Sequence, residues 1–177
     1  MQDHFEANLA WVLLQEGGFA KLANDEVTNL GVKRSTWAGW VDRPVTIEEL
    51  KSLTVPRVTP LYLKQYYIPC LADKIIHPVD LCVFDFAVNS GVGRSLAVLS
   101  TQMNISLDNK SRDMLIDAIN THPDVAKLIN QFCDRRLSFV RGLKNHYLYG
   151  KGWEARIARL RAHCLDLLTH PCREPAV

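Results

Sequence analysis

The chain has 177 residues, of which 47% are hydrophobic and 23% are charged. These values are ordinary for a globular domain, so the composition excludes a long disordered chain, a collagen-like fibre and a disulfide-stabilised miniprotein. The formal net charge of +2 is too small to favour a dedicated nucleic-acid-binding protein.

Helical periodicity runs through almost the whole chain. A first helix is expected from about Phe5 to the glycine pair Gly17-Gly18, and residues 19–35 read as a loop or small hairpin. A capping box at Thr46 and a Thr59-Pro60 start signal open two further helices. The later helices are predicted over residues 47–53, 60–68, 78–90, 93–103, 111–120, 123–149 and 152–169.

One predicted helix differs from the others, because Leu81–Val88 is apolar on nearly all sides. Such a helix is normally the buried centre of a domain. Gly150 and Gly152 are expected to separate the last two helices. The predicted fold class is therefore mainly α, with a small β or loop insertion near the N-terminus and further helices after it.

The five cysteines are scattered and form no CxxC motif. This pattern predicts reduced, buried thiols in a protein made in the cytoplasm. The N-terminal residues do not resemble a signal peptide, and no apolar stretch reaches about 18 residues. We therefore expect no stable membrane insertion, and a separate export route if the protein acts outside the cytoplasm.

Glu16 is the most informative single residue. It precedes Gly17-Gly18 in the last helical turn, where outward-pointing carbonyl groups disfavour a negative charge. Apolar neighbours such as Leu13, Leu14 and Phe19 are expected to disfavour ionisation further. A carboxyl group kept in its acid form suits a general acid. The alternative is a solvated glutamate beside an ordinary glycine cap.

The polar loop after this helix carries Asp25 and Thr28. Hydrolysis of a glycosidic bond needs an acid on one side of the bond and a carboxylate or a held water on the other. Thr28 is a candidate to orient the water, and Asp25 a candidate base or charge stabiliser. The alternative is that Asn24-Asp25 forms a turn and that Thr28 is a local cap.

Three further residues are candidates for contact with a sugar. Asn89 ends the apolar helix, where it either hydrogen-bonds a sugar amide or satisfies the helix end. Tyr147 and Tyr149 lie near a glycine pair, where exposed rings are available for stacking on sugar faces.

The remaining polar residues indicate no cofactor chemistry. The histidines show neither HExxH nor clustered-ligand spacing, so no metal site and no cofactor is expected. No serine lies in a nucleophile elbow. Six helix-borne arginines are interpreted mainly as a solvated face: Arg135, Arg136, Arg141, Arg156, Arg159 and Arg161.

Three blocks in order resemble the glycoside hydrolase 108 family of phage-type N-acetylmuramidases. Glu16–Phe19 followed by Thr28–Val32 is similar to the first block, and Phe84–Gly91 to the second. The segment Gly152–Arg156 is similar to the small peptidoglycan-binding subdomain that follows in the family. The resemblance covers nearly the whole chain.

The resemblance implies a lysozyme-like fold with a catalytic region at 1–103 and a helical, peptidoglycan-binding-like region at 104–177. It implies that Glu16 is the catalytic acid, with Thr28 and Asn29 in the cleft beside it. The bond cleaved would join N-acetylmuramic acid to N-acetylglucosamine. The family's Asp-Pro-Gly-Gly turn is replaced here by the shorter stretch Ala23–Val27.

The implied partner is the glycan strand of peptidoglycan, and the implied place of action is the periplasm or cell wall. Such enzymes serve phage lysis or toxin release through the wall, with a holin or a dedicated secretion route for export. Two alternatives stay open, a lytic transglycosylase on the same scaffold and a non-catalytic wall-binding or secretion-partner protein. A helical DNA-binding domain is at odds with the near-neutral charge.

Overall fold

The computed structural model describes residues 4–21, 26–108 and 110–170. Within these ranges the chain forms nine α-helices and one three-stranded sheet. The helices are α1 Phe5–Glu16, α2 Arg34–Val41, α3 Ile47–Lys51, α4 Val55–Tyr62, α5 Val79–Ser90, α6 Val92–Met103, α7 Arg112–Asn120, α8 Val125–Arg141 and α9 His146–Thr169. The strands are β1 Ala20–Lys21, β2 Val27–Asn29 and β3 Val32–Lys33. The predicted fold class, mainly α with a small sheet near the N-terminus, is confirmed.

Helix α5 is the centre of the fold, as its apolar sequence predicts. Every residue from Val79 to Ala87 is buried. The helix contacts α1, α6, α8, α9 and a π-helical turn at Leu63–Tyr67. Fully burying a large apolar side chain such as Phe84 contributes about 1.5–3 kcal/mol, so these contacts dominate the packing energy.

The hydrophobic core is continuous along the chain. It extends from Phe5 in α1 to Cys164 in α9. Residues on both sides of the predicted boundary between 103 and 104 contribute to it, including Leu99 and Leu115. The proposed catalytic and C-terminal regions therefore share one core.

The sheet is antiparallel in the order β1-β2-β3. Thr28 lies opposite Ala20 on one side and opposite Lys33 on the other. Leu30 and Gly31 form the two-residue turn between β2 and β3, and both have positive φ angles, 50° and 73°. This is the backbone sign that tight hairpins prefer. The Tyr62 hydroxyl donates to the Leu30 carbonyl at 2.8 Å and so ties the turn to α4.

Two predictions in the region before α5 are wrong. Helix α2 follows the sheet without having been expected, and α4 starts at Val55 instead of after Thr59. Pro56 occupies the first turn of α4, where a proline costs no hydrogen bond. The Thr59 hydroxyl donates to the Val55 carbonyl at 2.8 Å, so it bonds within the helix instead of capping a new one.

The predicted break at Gly150 and Gly152 is also wrong, because both glycines lie inside α9. The break falls instead between Arg141, the last residue of α8, and His146. The His146 ring packs against the Cα of Gly150, where a Cβ would overlap the ring. A glycine costs a helix only about 1 kcal/mol, which the packing of the 24-residue α9 outweighs.

The four cysteines within the described residues are free and buried, as predicted. Burial raises the pKa of the Cys70 thiol to about 12, which makes it a poor nucleophile at neutral pH. Cys172 lies outside the described residues. No helix in the described part of the chain has the length and hydropathy needed to span a membrane.

Candidate active site

Glu16 lies at the wall of a cleft of about 320 Å³. The cleft forms where the end of α1, the β2–β3 hairpin, α4 with the π-helical turn, and the end of α5 meet. Its lining residues are Glu16, Gly31, Val32, Lys33, Thr36, Leu61, Tyr62, Tyr66, Val88 and Asn89. Among them Glu16 is the one acidic side chain, so the cleft presents a single described carboxyl group.

Glu16 is paired with an arginine from the other end of the chain. Arg156 Nη1 on α9 lies 2.7 Å from Glu16 Oε1, and the two side chains are 9% and 20% exposed. The interpretation of Arg156 as part of a solvated face is therefore wrong. All three nitrogens of its guanidinium group lie close to carboxylate oxygens of other helices.

The same arginine also binds Asp85, which is fully buried in α5. Arg156 Nε and Nη2 donate to Asp85 Oδ1 at 3.0 and 2.6 Å. Arg136 Nη1 on α8 donates to Asp85 Oδ2 at 2.5 Å, and Arg136 is also buried, against the solvated role expected for it. Glu16, Arg156, Asp85 and Arg136 thus form one buried row of alternating charges, here called the charge chain.

The charge chain sets the ionisation of its inner members. Burial alone would raise the pKa of the Asp85 carboxyl, but the guanidinium groups of Arg136 and Arg156 outweigh it and lower that pKa. Burial alone would lower the pKa of Arg156, but Asp85 and then Glu16 outweigh it and raise that pKa. Both inner groups are therefore charged at neutral pH.

The apolar surroundings expected around Glu16 are not what the structure has. Leu14 and Phe19 are 66% and 43% exposed, so neither encloses the carboxyl group. The groups next to Glu16 are instead Arg156, Tyr62 and the backbone of Gly31.

Gly31 packs directly against Glu16. A Cβ at this position would lie 2.6 Å from the Tyr62 hydroxyl oxygen and 2.8 Å from Glu16 Cγ. The hairpin turn therefore holds the Glu16 side chain from one side while Arg156 holds it from another. Burial, then the negative charge of Glu16, raises the pKa of Tyr62 and likewise that of Tyr66, so both phenols stay neutral beside the carboxyl group.

One further predicted site residue lines the cleft. Asn89 lies at the last turn of α5, with its Oδ1 accepting a hydrogen bond from the Ser90 hydroxyl at 3.0 Å. Thr28 lies opposite Lys33 in the sheet, and Lys33 lines the cleft whereas Thr28 does not.

One other is not brought there. Asn29 is buried, and its Nδ2 donates to the carbonyls of Leu50 at 2.9 Å and Lys51 at 3.1 Å. This side chain fastens β2 to the end of α3. Asp25 lies outside the described residues.

The two tyrosines at the start of α9 are exposed but face different ways. Tyr149 is seven residues before Arg156, and at about 100° per residue it lies on the same helix face as that arginine. Tyr147 is nine residues before Arg156, so it lies on the opposite face. The Tyr149 ring is 5.7 Å from the ring of Trp153, which shares its face.

Sequence reasoning missed Asp85 and Arg136. The available signal was the one aspartate within the apolar run Leu81–Val88, because a buried charge needs a buried partner. No group of three histidine, cysteine, aspartate or glutamate side chains suited to a metal ion occurs among the described residues.

Comparisons with known proteins match part of the chain to a family model and most of it to a solved structure. Residues 9–91 match the model of the glycosyl hydrolase 108 family. The structure of SagA from Brucella abortus superposes with a TM-score of 0.81 at 29% identity, covering 92% of this chain and 94% of SagA. No curated protein matches the chain. The fold is lysozyme-like, and residues 9–91 are similar to the glycosyl hydrolase 108 family, which indicates a glycoside hydrolase.

Proposed function

We propose that the chain is an N-acetylmuramidase that cleaves the β-1,4 bond between N-acetylmuramic acid and N-acetylglucosamine, with Glu16 as the general acid. The observation that supports this proposal is the position of Glu16, the one described carboxyl group in the cleft, held between Arg156 and Gly31. A carboxyl group fixed on two sides has few orientations, which is what proton transfer to a defined oxygen requires.

In this mechanism Glu16 protonates the glycosidic oxygen as the bond to the leaving sugar breaks. The carboxylate that forms is stabilised by the guanidinium of Arg156. A water held by Thr28 attacks the anomeric carbon from the other side, with Asp25 as the base or charge stabiliser. Carboxyl groups about 6.5–9.5 Å apart correspond to inversion and about 5–5.5 Å to retention.

Substrate contacts are assigned to the residues around the cleft. The Asn89 side chain at the cleft wall is placed to hydrogen-bond an N-acetyl group. Tyr149 and Trp153 extend the Arg156 face of α9 and offer aromatic surface to a sugar further along the strand. Asn29 and Tyr147 were also predicted to bind substrate. Asn29 is buried against the end of α3, and Tyr147 lies on the face of α9 opposite Arg156.

A lytic transglycosylase is the second candidate. The specific observation in its favour is the single carboxyl group among the described cleft residues, since such an enzyme works with one acid and base. Its product ends in an anhydro sugar instead of a reducing muramic acid. A wall-binding or secretion-partner protein without activity is the remaining alternative.

We further propose that the protein acts at the cell wall, in phage lysis or in toxin release, after export through a holin or a secretion route. The C-terminal region, 104–177, is proposed to contribute peptidoglycan binding in addition to its packing on the catalytic region.

The test is digestion of purified peptidoglycan sacculi by the wild type, Glu16→Gln and Glu6→Gln, with the products identified by mass spectrometry. Glu6 is an exposed glutamate on the same helix, so its variant controls for the loss of one charge from α1. We expect reducing muramic ends from the wild type and Glu6→Gln and none from Glu16→Gln. Anhydro ends would establish the transglycosylase. Binding without soluble product from any protein would establish a non-catalytic role.

A further inference from the structure

We infer that Asp85 and Arg136 are positioning residues for Glu16, acting through Arg156, and that helices α8 and α9 thereby complete the catalytic site of the family domain. The inference rests on the proposed function of Glu16 as the general acid. Neither Asp85 nor Arg136 lines the cleft, so any effect they have on catalysis passes through Arg156.

Asp85 fixes the orientation of the Arg156 guanidinium group. Its Nε and Nη2 donate together to Asp85, which fixes the plane of the guanidinium group. With that plane fixed, Nη1 lies 2.7 Å from Glu16 Oε1, within ion-pair distance. An arginine without such a clamp would sample many rotamers, because its side chain is among the most flexible. Asp85 therefore determines where Arg156 meets the acid.

Arg136 fixes Asp85 in turn. Its Nη1 lies 2.5 Å from Asp85 Oδ2, and its guanidinium carbon lies 4.9 Å from the centre of the Phe86 ring. Asp85 Oδ1 accepts from Arg156 on α9, and Oδ2 accepts from Arg136 on α8 and more weakly from Arg156 Nε at 3.3 Å. The carboxylate cannot rotate without losing one of them.

The energetics argue against a purely stabilising role. Asp85 is 0% exposed and Arg136 is 1% exposed, and they lie in a helix pair whose other buried residues are mostly apolar. Removing two ions from water costs several kcal/mol each, and well-packed apolar residues are often as stable or more so. A buried row of charges that ends at a cleft carboxyl group is better explained by what it does to that carboxyl group.

The charges along the chain are balanced. The negative charge of Asp85 offsets the positive charges of Arg156 and Arg136, which lie on either side of it.

The location of these residues defines what the C-terminal helices contribute. The family match ends at residue 91, whereas Arg136 and Arg156 lie on α8 and α9 beyond it. Residues 9–91 contain Glu16 and Asp85. They contain neither Arg156, which joins these two carboxylates, nor Arg136, which binds Asp85. The C-terminal region is therefore part of the catalytic machinery as well as a proposed binding region.

The experiment measures kcat and KM separately, on soluble uncross-linked glycan strands, for full-length Asp85→Asn, Arg136→Met, Arg136→Lys and the double variant Asp85→Asn/Arg136→Met. We expect kcat to fall about 100-fold in Asp85→Asn, in line with the cost of a small misplacement of a catalytic group, and KM to change less than about threefold. Arg136→Lys, which keeps the charge, is expected to recover most of the activity that Arg136→Met loses.

Asp134→Asn is the matched control. Asp134 on α8 pairs with Arg161 on α9 at 2.5 Å, so it joins the same two helices through the same chemistry without reaching the cleft. Its kcat is expected to equal that of the wild type. Circular dichroism and thermal unfolding of every variant establish that the kinetics are those of folded protein.

The double variant provides a further test if the single variants unfold, because it removes the charges of Asp85 and Arg136 together and so leaves neither of them buried without the other. We expect it to fold and to keep a low kcat. A folded Asp85→Asn or double variant with wild-type kcat would overturn the inference while Glu16→Gln remains inactive. An active Glu16→Gln would instead overturn the proposed function of Glu16.

Discussion

Arg156 Nη1 lies 2.7 Å from Glu16 Oε1, which joins the last residue of α1 to the middle of α9. Asp85 in the central helix lies behind this pair and binds the other edge of the same guanidinium. The candidate acid is therefore positioned by three helices that are distant in sequence. This relationship explains why the site depends on packing across the whole described chain.

Gly31→Ala is expected to damage catalysis as well as stability. The new methyl group would lie 2.6 Å from the Tyr62 hydroxyl and 2.8 Å from Glu16 Cγ, on a backbone with φ of 73°. We expect stability to fall by about 1–3 kcal/mol from backbone strain and kcat to fall as Glu16 is displaced. Gly91→Ala controls for the strain, because φ is 98° there and no atom lies within 4 Å. Equal kcat values for the two variants would contradict this prediction.

Tyr149→Ala and Tyr147→Ala are expected to differ in their effect on the KM for glycan strands. Tyr149 shares the Arg156 face of α9 and contacts Trp153, so its loss should raise KM for glycan strands several-fold, since stacking on an aromatic ring contributes about 0.5–1.5 kcal/mol. Tyr147 is 82% exposed on the opposite face and should leave KM unchanged. Steady-state kinetics on strands of several repeats provides the measurement. A KM that rises only in the Tyr147 variant would place the glycan on the other face.

Asn29→Ala distinguishes a structural from a substrate-binding role. The substitution leaves the carbonyls of Leu50 and Lys51 without this donor, so we expect a loss of about 1–3 kcal/mol in the free energy of unfolding and an unchanged KM. Thr28→Val is the companion variant on the same strand, and from the proposed role of Thr28 it should lower kcat with little effect on stability. Urea unfolding and kinetics on both proteins test the pair. A raised KM in a stable Asn29 variant would restore the substrate role.

The acid dependence of stability should carry the signature of Asp85. Its pKa is lowered in the folded protein from an ordinary value of 3.8, so its contribution is fully present above that pH and is lost as the pH falls below it. Asp85→Asn should therefore flatten the dependence of the unfolding free energy on pH in this acid range. Glu49 and Glu154, whose pKa values are also lowered by arginine partners, remain in both proteins. Urea unfolding between about pH 2 and 6 gives the difference, which is at most about 1.4 kcal/mol per pH unit for one proton. Parallel curves would mean that the pKa of Asp85 is the same in the folded and unfolded protein, which would contradict the prediction.

Local sequence signals predicted much of the fold. The apolar run of α5, the glycines that end α1 and α5, and the Thr46 cap of α3 each act within a few residues, so each is legible without the tertiary structure. Glu16 was found in the same way, from its place before two glycines and the resemblance that this run carries. The predicted helix boundaries at Thr59 and Gly150 were wrong because both residues make contacts one helical turn earlier within a continuous helix. The Thr59 hydroxyl donates to the Val55 carbonyl, and Gly150 packs against the His146 ring.

The sequence by itself determined a mainly helical glycoside hydrolase with a candidate acid at the end of its first helix. It could not determine which charges meet. Arg136 and Arg156 resemble surface arginines in sequence, and Asp85 is the one polar residue in the apolar run Leu81–Val88. Only the packing of α5 against α8 and α9 removes all three from water, and removal from water is what makes each one require the others.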